Sequence, residues 1–590
     1  MCRLCDEGKP QFHGLGSSRR GFLKTAAATG VAATAFDLLA AGQARAADDR
    51  EPEDTGRHGR RYLIKGGAVM SMDAGVGDFA QADVLVEGKK IVAVGPSLSA
   101  GGAAVIDARG KIVMPGFVDT HHHQFETALR SFLADGLLLP GTPGGAVNYY
   151  QYILLTFAPV YRPQDVYINE LFGGLSQLDA GVTTVHDISQ IHHSPAHSDA
   201  AIQGMMASGR RGVFGYFESA GGVAGNQYPD DAVRIRNQWF SSSDQLLTMI
   251  MGGEIYLPNY EKAWNIGRQL CLQVAAHILS PFGMRPTFDA LAQGTGGDSG
   301  KLGIGSDNLF VHMTGMSDLA WQKTRDAGAH VSLAVPIEMN MRHGTPPIQK
   351  ALDLGFQPSL STDVECTLTA DFFTQMRSTM SLQRALVNQA ILDSGPPAVN
   401  PWPPHPVDVP PLLASQDVLR YATINGAKGL RLDKKIGSLT PGKEADVIIL
   451  DATAINVAPL NHVPGAVVTL MERSNVETVI VAGKVRKWKG RLLGVNLSQL
   501  RTELENSRDY IFGKAGVPRR GVERHRRELA VGGRVELDRQ LAVVVAGRRH
   551  GRGRGDGGAC LTGACGTGPS PRPRSRRCSR ASSRARCAAG

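Results

Sequence analysis

Short apolar runs rich in Val and Ile, broken by Gly-Lys or Gly-Gly pairs, open the chain's patterned part: "YLIKGGAVMSMD" from Tyr62, then "ADVLVEGKKIVAVGP" and "AAVIDARGKIVMPG". This pattern predicts strands joined by tight turns. The same texture returns in "IGSLTPGKEADVIILD" and "VETVIVAGKVRKWKG". Over residues 115–428 the pattern changes. Apolar strands with polar ends ("IVMPGFVDTHHH", "GVTTVHDIS", "GVFGYFES", "LLTMIMGGEI", "CLQVAAHIL", "DNLFVHMTG", "HVSLAVPIE" and "QPSLSTDVE") alternate with helical stretches such as "QDVYINELFGGLSQLDAG" and "SDLAWQKTRDAG", which end in Gly. Eight strands with intervening helices predict an α/β fold, a (β/α)8 TIM barrel. The segments flanking it, 61–114 and 429–493, predict one small β-sandwich domain interrupted by the barrel, with two unrelated β modules as the alternative. A helix is expected over 494–515. Polar residues fall at the C-terminal strand ends, where such barrels place their active sites.

Charge changes little for the body of the chain. The stretch from Ala515 onward holds 18 Arg and no Lys against 5 Asp or Glu, an excess larger than the whole net charge of +10. The rest is slightly acidic, so nucleic acid is not an expected partner. The tail 516–590 is Arg, Gly, Ser and Pro without apolar periodicity, and reads as disordered or as translated out of frame. At the other end, "SSRRGFLKTAAATGVAATAFDLLAAGQARA" pairs Arg19 with Arg20, continues into an uncharged Ala-rich run and closes on Ala44-Arg45-Ala46. This resembles a twin-arginine signal peptide over residues 1–46, with a linker over 47–60. Such a signal implies contact with the twin-arginine export machinery and a periplasmic or extracellular location. The run is too short and too rich in Ala and Gly for stable membrane insertion. Self-association is left open.

The chemistry concentrates at the strand ends. Along a strand, residues i and i+2 share a face, so in His121-His122-His123 the outer two can reach one metal while His122 points away. Two imidazoles leave a tetrahedral site half empty. His277 in "VAAHILS", His312 in "LFVHMTG" and Asp363 in "LSTDVE" are further donors at strand ends. Imidazole and carboxylate suit one Zn ion, and Fe or Mn can use the same donors.

"PGFVDTHHH", "VAAH", "LFVHM", "LSTD" and the closing "YATINGAKGL", "IGSLTPGKEADVIILD" and "VETVIVAGKVRKWKG" together resemble the metal-dependent amidohydrolase superfamily. Within it the chain is most similar to the group of S-adenosylhomocysteine and cytosine deaminases and triazine hydrolases. The resemblance implies His121, His123, His277 and Asp363 as metal ligands, Asp363 also as proton acceptor, and His312 as a contact to the water or substrate. It implies hydrolysis of carbon–nitrogen bonds other than peptide bonds in a small heterocycle or cyclic amide. No Lys ends strand four, so one metal is expected.

The sequence departs from the deaminase pattern at Ser280, where a proton-shuttling Glu is usual. Glu218, Glu338 and Glu365 are the carboxyls placed to replace it, and Glu218 is carried forward as catalytic. His186, His192, Glu338 and His343 are expected to border the substrate. Hydrolytic displacement of another leaving group, as in chlorohydrolases, is the alternative chemistry. A non-catalytic binding member is the alternative class, since fold does not fix function.

Overall fold

The computed structural model describes residues 50–140, 147–220, 223, 225–393 and 409–519. Residues 1–49, which include the expected signal peptide 1–46, and the tail beyond Arg519 lie outside them, as do residues 394–408 of the Pro-rich stretch that contains Trp402. No helix among the described residues is long and apolar enough to cross a membrane.

Two sheets form among those residues. Eight parallel strands make the barrel: β6 (Phe117–His122), β7 (Val182–Ser189), β8 (Arg211–Tyr216), β9 (Leu247–Gly252), β10 (Val274–Leu279), β11 (Asn308–Thr314), β12 (His330–Leu333) and β13 (Ser359–Leu360). They pair in chain order, and a parallel bridge between His122 and Asp363 joins the last strand to the first. Strands β6, β7, β8, β10 and β11 are buried along their whole length. That explains their unbroken apolar runs, since a parallel barrel strand meets side chains on one face and helices on the other. Gly116, just before β6, packs where a Cβ would stand 2.2 Å from the Thr183 side chain. Helix α1 (Pro163–Asp179) ends as its sequence predicts. Gly181, with φ of +88°, returns its N–H to Leu178 O at 3.0 Å and releases the chain into β7.

The flanking module is a nine-stranded mixed sheet. It comprises β1 (Arg61–Val69), β2 (Phe79–Glu87), β3 (Lys90–Gly95), β4 (Ala104–Asp107) and β5 (Lys111–Pro115) before the barrel, and β14 (Val447–Asp451), β15 (Val476–Val481), β16 (Lys484–Trp488) and β17 (Arg491–Leu492) after it. The junction is β5 against β14, antiparallel, with Met114 opposite Ile448. The barrel is therefore inserted between two halves of one sheet. Val84 and Val86 of β2 share a core with Val447, Ile449, Ile480 and Val485. Each such side chain withdrawn from water contributes about 1.5–3 kcal/mol, and neither half supplies this core alone. Arg211, at the start of β8, ties the barrel to the module through Asp446 at 2.8 Å and Glu444 at 2.6 Å, with all three side chains buried. Helix α2 (Leu497–Ala515) packs Phe512 against Phe132 and Phe157, and its Tyr510 ring lies 3.4 Å from the Arg162 guanidinium carbon.

Candidate metal centre

The pleat of β6 sorts the three adjacent histidines. His121 and His123 turn inward, and their Nε2 atoms lie 3.1 Å apart. His122 turns outward, where its Nδ1 meets Thr362 Oγ1 at 3.0 Å. His277, from β10, brings its own Nε2 to 3.2 Å from that of His123 and 3.0 Å from that of His121. Asp119 ties β6 to the segment that follows β13 and to helix α1: its Oδ1 accepts the backbone N–H of His121 and of Thr362, and its Oδ2 accepts the Gln177 amide.

Three imidazole nitrogens in so small a triangle form a group that could hold a metal ion. Burial, reinforced by the neighbouring rings, holds His121 and His123 well below the ordinary histidine value, so both are neutral. His277 departs the other way. Burial lowers it, but the charge and hydrogen bond of Glu254, with Asp363 and Glu218, outweigh burial. Glu254 Oε1 holds His277 Nδ1 at 2.6 Å, so that when the ring is neutral its proton sits on Nδ1 and the Nε2 lone pair faces the other two rings. Donors bound to zinc at about 2.0–2.1 Å stand roughly 3.3 Å apart when tetrahedral, close to the spacings found.

Asp363 and His312 complete the group. Asp363 Oδ1 is 3.4 Å from His121 Nε2 and 3.7 Å from His123 Nε2, and Oδ2 is 3.5 Å from His312 Nε2. Both residues hold left-handed backbone, with φ of +61° at Asp363 and +71° at His312. For non-glycine residues this costs on the order of 1–3 kcal/mol and concentrates at functional sites. Asp363 is held there by paired backbone bonds, its N–H to His121 O and its C=O to the His123 N–H. Metal-compatible donor groups of this chain all draw on these residues and His343, among the described ones.

The centre lies at the wall of a cleft of about 460 Å³, counted to its open mouth. Leu138, Leu154, Leu279, Phe282 and Met341 make most of the wall, joined by Tyr149, Gln190, Tyr256 and His343. Of the residues expected to border substrate, His343 does so, with neither ring nitrogen hydrogen-bonded. The other three do not line the cleft. His186 is fully buried inside the barrel with Nδ1 on Thr120 O. His192 spends both ring nitrogens within its own loop, on Ser198 Oγ and Ser189 O. Glu338 sits behind His312, holding its Nδ1 at 3.0 Å. Glu218 also stands behind the wall, but both its partners are on it: Gln190 donates to Oε1 at 2.9 Å, and the Tyr256 hydroxyl donates to the same oxygen. Glu365 is bound by Arg130 at 2.7 Å, an ordinary ion pair. Ser280 is exposed and off the cleft wall.

Residues 276–486, which carry His277, His312 and Asp363, match the amidohydrolase family model. The chain carries an amidohydrolase domain. The 5'-deoxyadenosine deaminase of Methanosarcina mazei is 25% identical over 460 residues, covering 77% of this chain and 98% of that protein. The 5-methylthioadenosine/S-adenosylhomocysteine deaminase of Pelotomaculum thermopropionicum is 24% identical over 466 residues, with 75% and 97% covered. Among solved structures, an adenosine deaminase from Xanthomonas campestris with bound zinc superposes with a TM-score of 0.63 at 21% identity, covering 78% of this chain and 100% of that one. An atrazine chlorohydrolase from Arthrobacter aurescens complexed with zinc gives 0.58 at 20%, covering 76% and 100%. These two likenesses establish the shared barrel.

Glu254, Asp119 and Tyr149 were not singled out in the sequence. Glu254 follows β9 in "MGGEI" and carried no spacing signal toward His277, although a carboxylate just past a barrel strand is where such a signal belongs. Replacing Glu254 with Gln is expected to weaken zinc binding about 10- to 100-fold with the far-ultraviolet circular dichroism unchanged. Titration against a chromogenic chelator measures this, and wild-type affinity in the variant would contradict the assigned role.

Proposed function

We propose that this amidohydrolase domain hydrolyses a carbon–nitrogen bond of a heterocyclic or cyclic-amide small molecule with one divalent metal, zinc, held by His121, His123, His277 and Asp363. The observation that carries the reading is the convergence of three Nε2 atoms within 3.2 Å of one another beside Asp363 and His312, on an apolar cleft. A cation at that point supplies Lewis acidity that brings water toward ionisation near neutral pH.

The chain's own groups divide the remaining work. Asp363 Oδ2 is buried without a hydrogen-bond partner and takes the proton of the attacking water. His312, fixed through Nδ1 by Glu338, turns Nε2 to the attacked carbon's substituent. Glu218 stores the proton that Ser280 cannot. Burial, then the charge of Glu254, pushes it up to about 8, and its Oε2 has no partner. Delivery to the cleft goes by way of Tyr256: the phenol turns its O–H to the leaving amine and gives up that proton as its oxygen accepts the one from the Glu218 carboxyl, the reverse of the resting hydrogen bond. Displacement of a leaving group that needs no protonation is the second reading, favoured by Ser280 standing exposed and off the wall. The pair Arg19-Arg20 supports export by the twin-arginine route.

Aminated, halogenated and cyclic-amide rings, incubated with zinc-loaded protein and assayed for ammonia, halide and ring opening, test the proposal. Ammonia or ring opening that disappears in Asp363→Asn is expected. Halide release alone would select the second reading, and no turnover of any class would contradict both.

A further inference from the structure

A second set of polar side chains lies off the cleft wall, and one guanidinium gathers it. Arg210, just before β8, is 2% exposed. Burial lowers it to about 10, against the pull of the buried carboxyls of Asp119, Asp187 and Glu170, so it stays charged near neutral pH. Its neighbour Arg211 reaches Glu444 and Asp446 of the flanking module. Arg210 turns the other way, with one Nη donating to Gln177 Oε1 and the other to Gln124 Oε1 at 2.6 Å.

A guanidinium only donates, so it fixes which way round both amides sit. Each glutamine gives its oxygen to Arg210 and keeps its N–H groups for others. Gln177 Nε2 donates to Asp119 Oδ2 at 2.9 Å and to Thr362 Oγ1 at 3.1 Å, and Gln124 Nε2 donates to Glu170 O at 2.6 Å. Asp119 Oδ1 accepts the backbone N–H of His121 and of Thr362, while Asp187 Oδ1 accepts that of Gln124 at 3.0 Å. Thr362 precedes Asp363, and Gln124 follows His123. Room for these contacts is built into α1. A Cβ at Gly174 would stand 3.0 Å from Gln124 Nε2, and one at Gly173 2.9 Å from Gln124 Cγ.

We infer that Arg210 is a positioning residue for the metal centre: it sets the direction of a chain of hydrogen bonds that ends on the backbone at or beside three of the four proposed ligands, His121, His123 and Asp363. The inference rests on that centre and adds to it a residue that touches neither the ion nor the substrate. Without the guanidinium nothing holds the Gln177 amide one way round, and the flipped amide turns its oxygen on the fully buried Asp119 carboxylate. Moving Asp119 relieves that repulsion and shifts the backbone of His121 and Thr362 with it. His277 stands outside this network, held by Glu254 instead.

Chelator competition for zinc in the whole chain, with thermal unfolding of the zinc-free form, tests it. Arg210→Met and, independently, Gln177→Met are expected to weaken zinc binding about tenfold or more, measured at a temperature where each variant is folded. Arg211→Met is the control. It removes an equally buried guanidinium from the same turn, and it is expected to lower the unfolding temperature while zinc affinity stays at the wild-type value. A purely structural role for Arg210 would give that same pattern. Wild-type affinity in Arg210→Met, or in Gln177→Met where Arg210→Met does not fold, would overturn the inference, as would an equal loss in Arg211→Met. Weakened zinc binding without turnover of any ring would support the inference and count against the hydrolase reading. Wild-type protein that takes up no zinc would overturn the metal centre and the inference together.

Discussion

His121→Ala, His123→Ala and His277→Ala are each expected to cut bound zinc from about one equivalent to nearly none, and turnover by at least ~10³-fold, because a site missing one of its few ligands holds the ion poorly and loses its activated water. His122→Ala is expected to keep the zinc. Its Nδ1 meets Thr362, on the far face of β6 from the other two rings. That variant should instead lose on the order of 2–5 kcal/mol of stability, through the cavity that a fully buried ring leaves behind. Elemental analysis of the four purified proteins, with thermal unfolding of each, separates the two behaviours. Equal zinc loss in all four would refute the division of labour within the triplet.

Glu218→Gln is expected to lower kcat for amine release by about 10²–10⁴-fold without loss of zinc. The sign of its pH dependence follows from burial, which keeps the carboxyl protonated up to about 8. A proton donor is competent below that value and fails above it, so the wild-type rate should fall on the alkaline side of about pH 8. In Glu218→Gln this limb should vanish along with most of the activity. A rate profile that keeps the limb in the variant would assign the proton to another group. Tyr256→Phe is the companion variant, since Tyr256 is the wall residue hydrogen-bonded to Glu218.

The barrel and the inward pair of histidines were legible because they depend on local periodicity. A period of two decides which side of β6 each histidine takes, and polar residues interrupting apolar strands mark the strand ends. The pairing of β5 with β14 was legible as a repeat of texture on either side of the barrel, although the sequence could not state that one sheet runs through both flanks. What escaped was tertiary. Glu254 reaches His277 from the neighbouring strand, and Tyr149 reaches Glu126 across 23 positions of chain. Neither pairing leaves a mark in spacing or composition. His192 shows the opposite failure. A polar residue in a loop beside the barrel mouth suggested a ligand contact, but Ser189 O and Ser198 Oγ satisfy both of its nitrogens. Glu338 was read as a contact to the substrate, and its hydrogen bond to His312 makes it the support of one.

Hydrolysis at this centre is tested most directly by turnover of an aminated heterocycle with zinc-loaded protein in ¹⁸O-enriched water. One ammonia released per ¹⁸O atom entering the ring carbon that lost its nitrogen is the expected result, with neither event in His121→Ala. Ammonia release that persists in His121→Ala, or product without ¹⁸O at that carbon, would contradict hydrolysis at the metal centre.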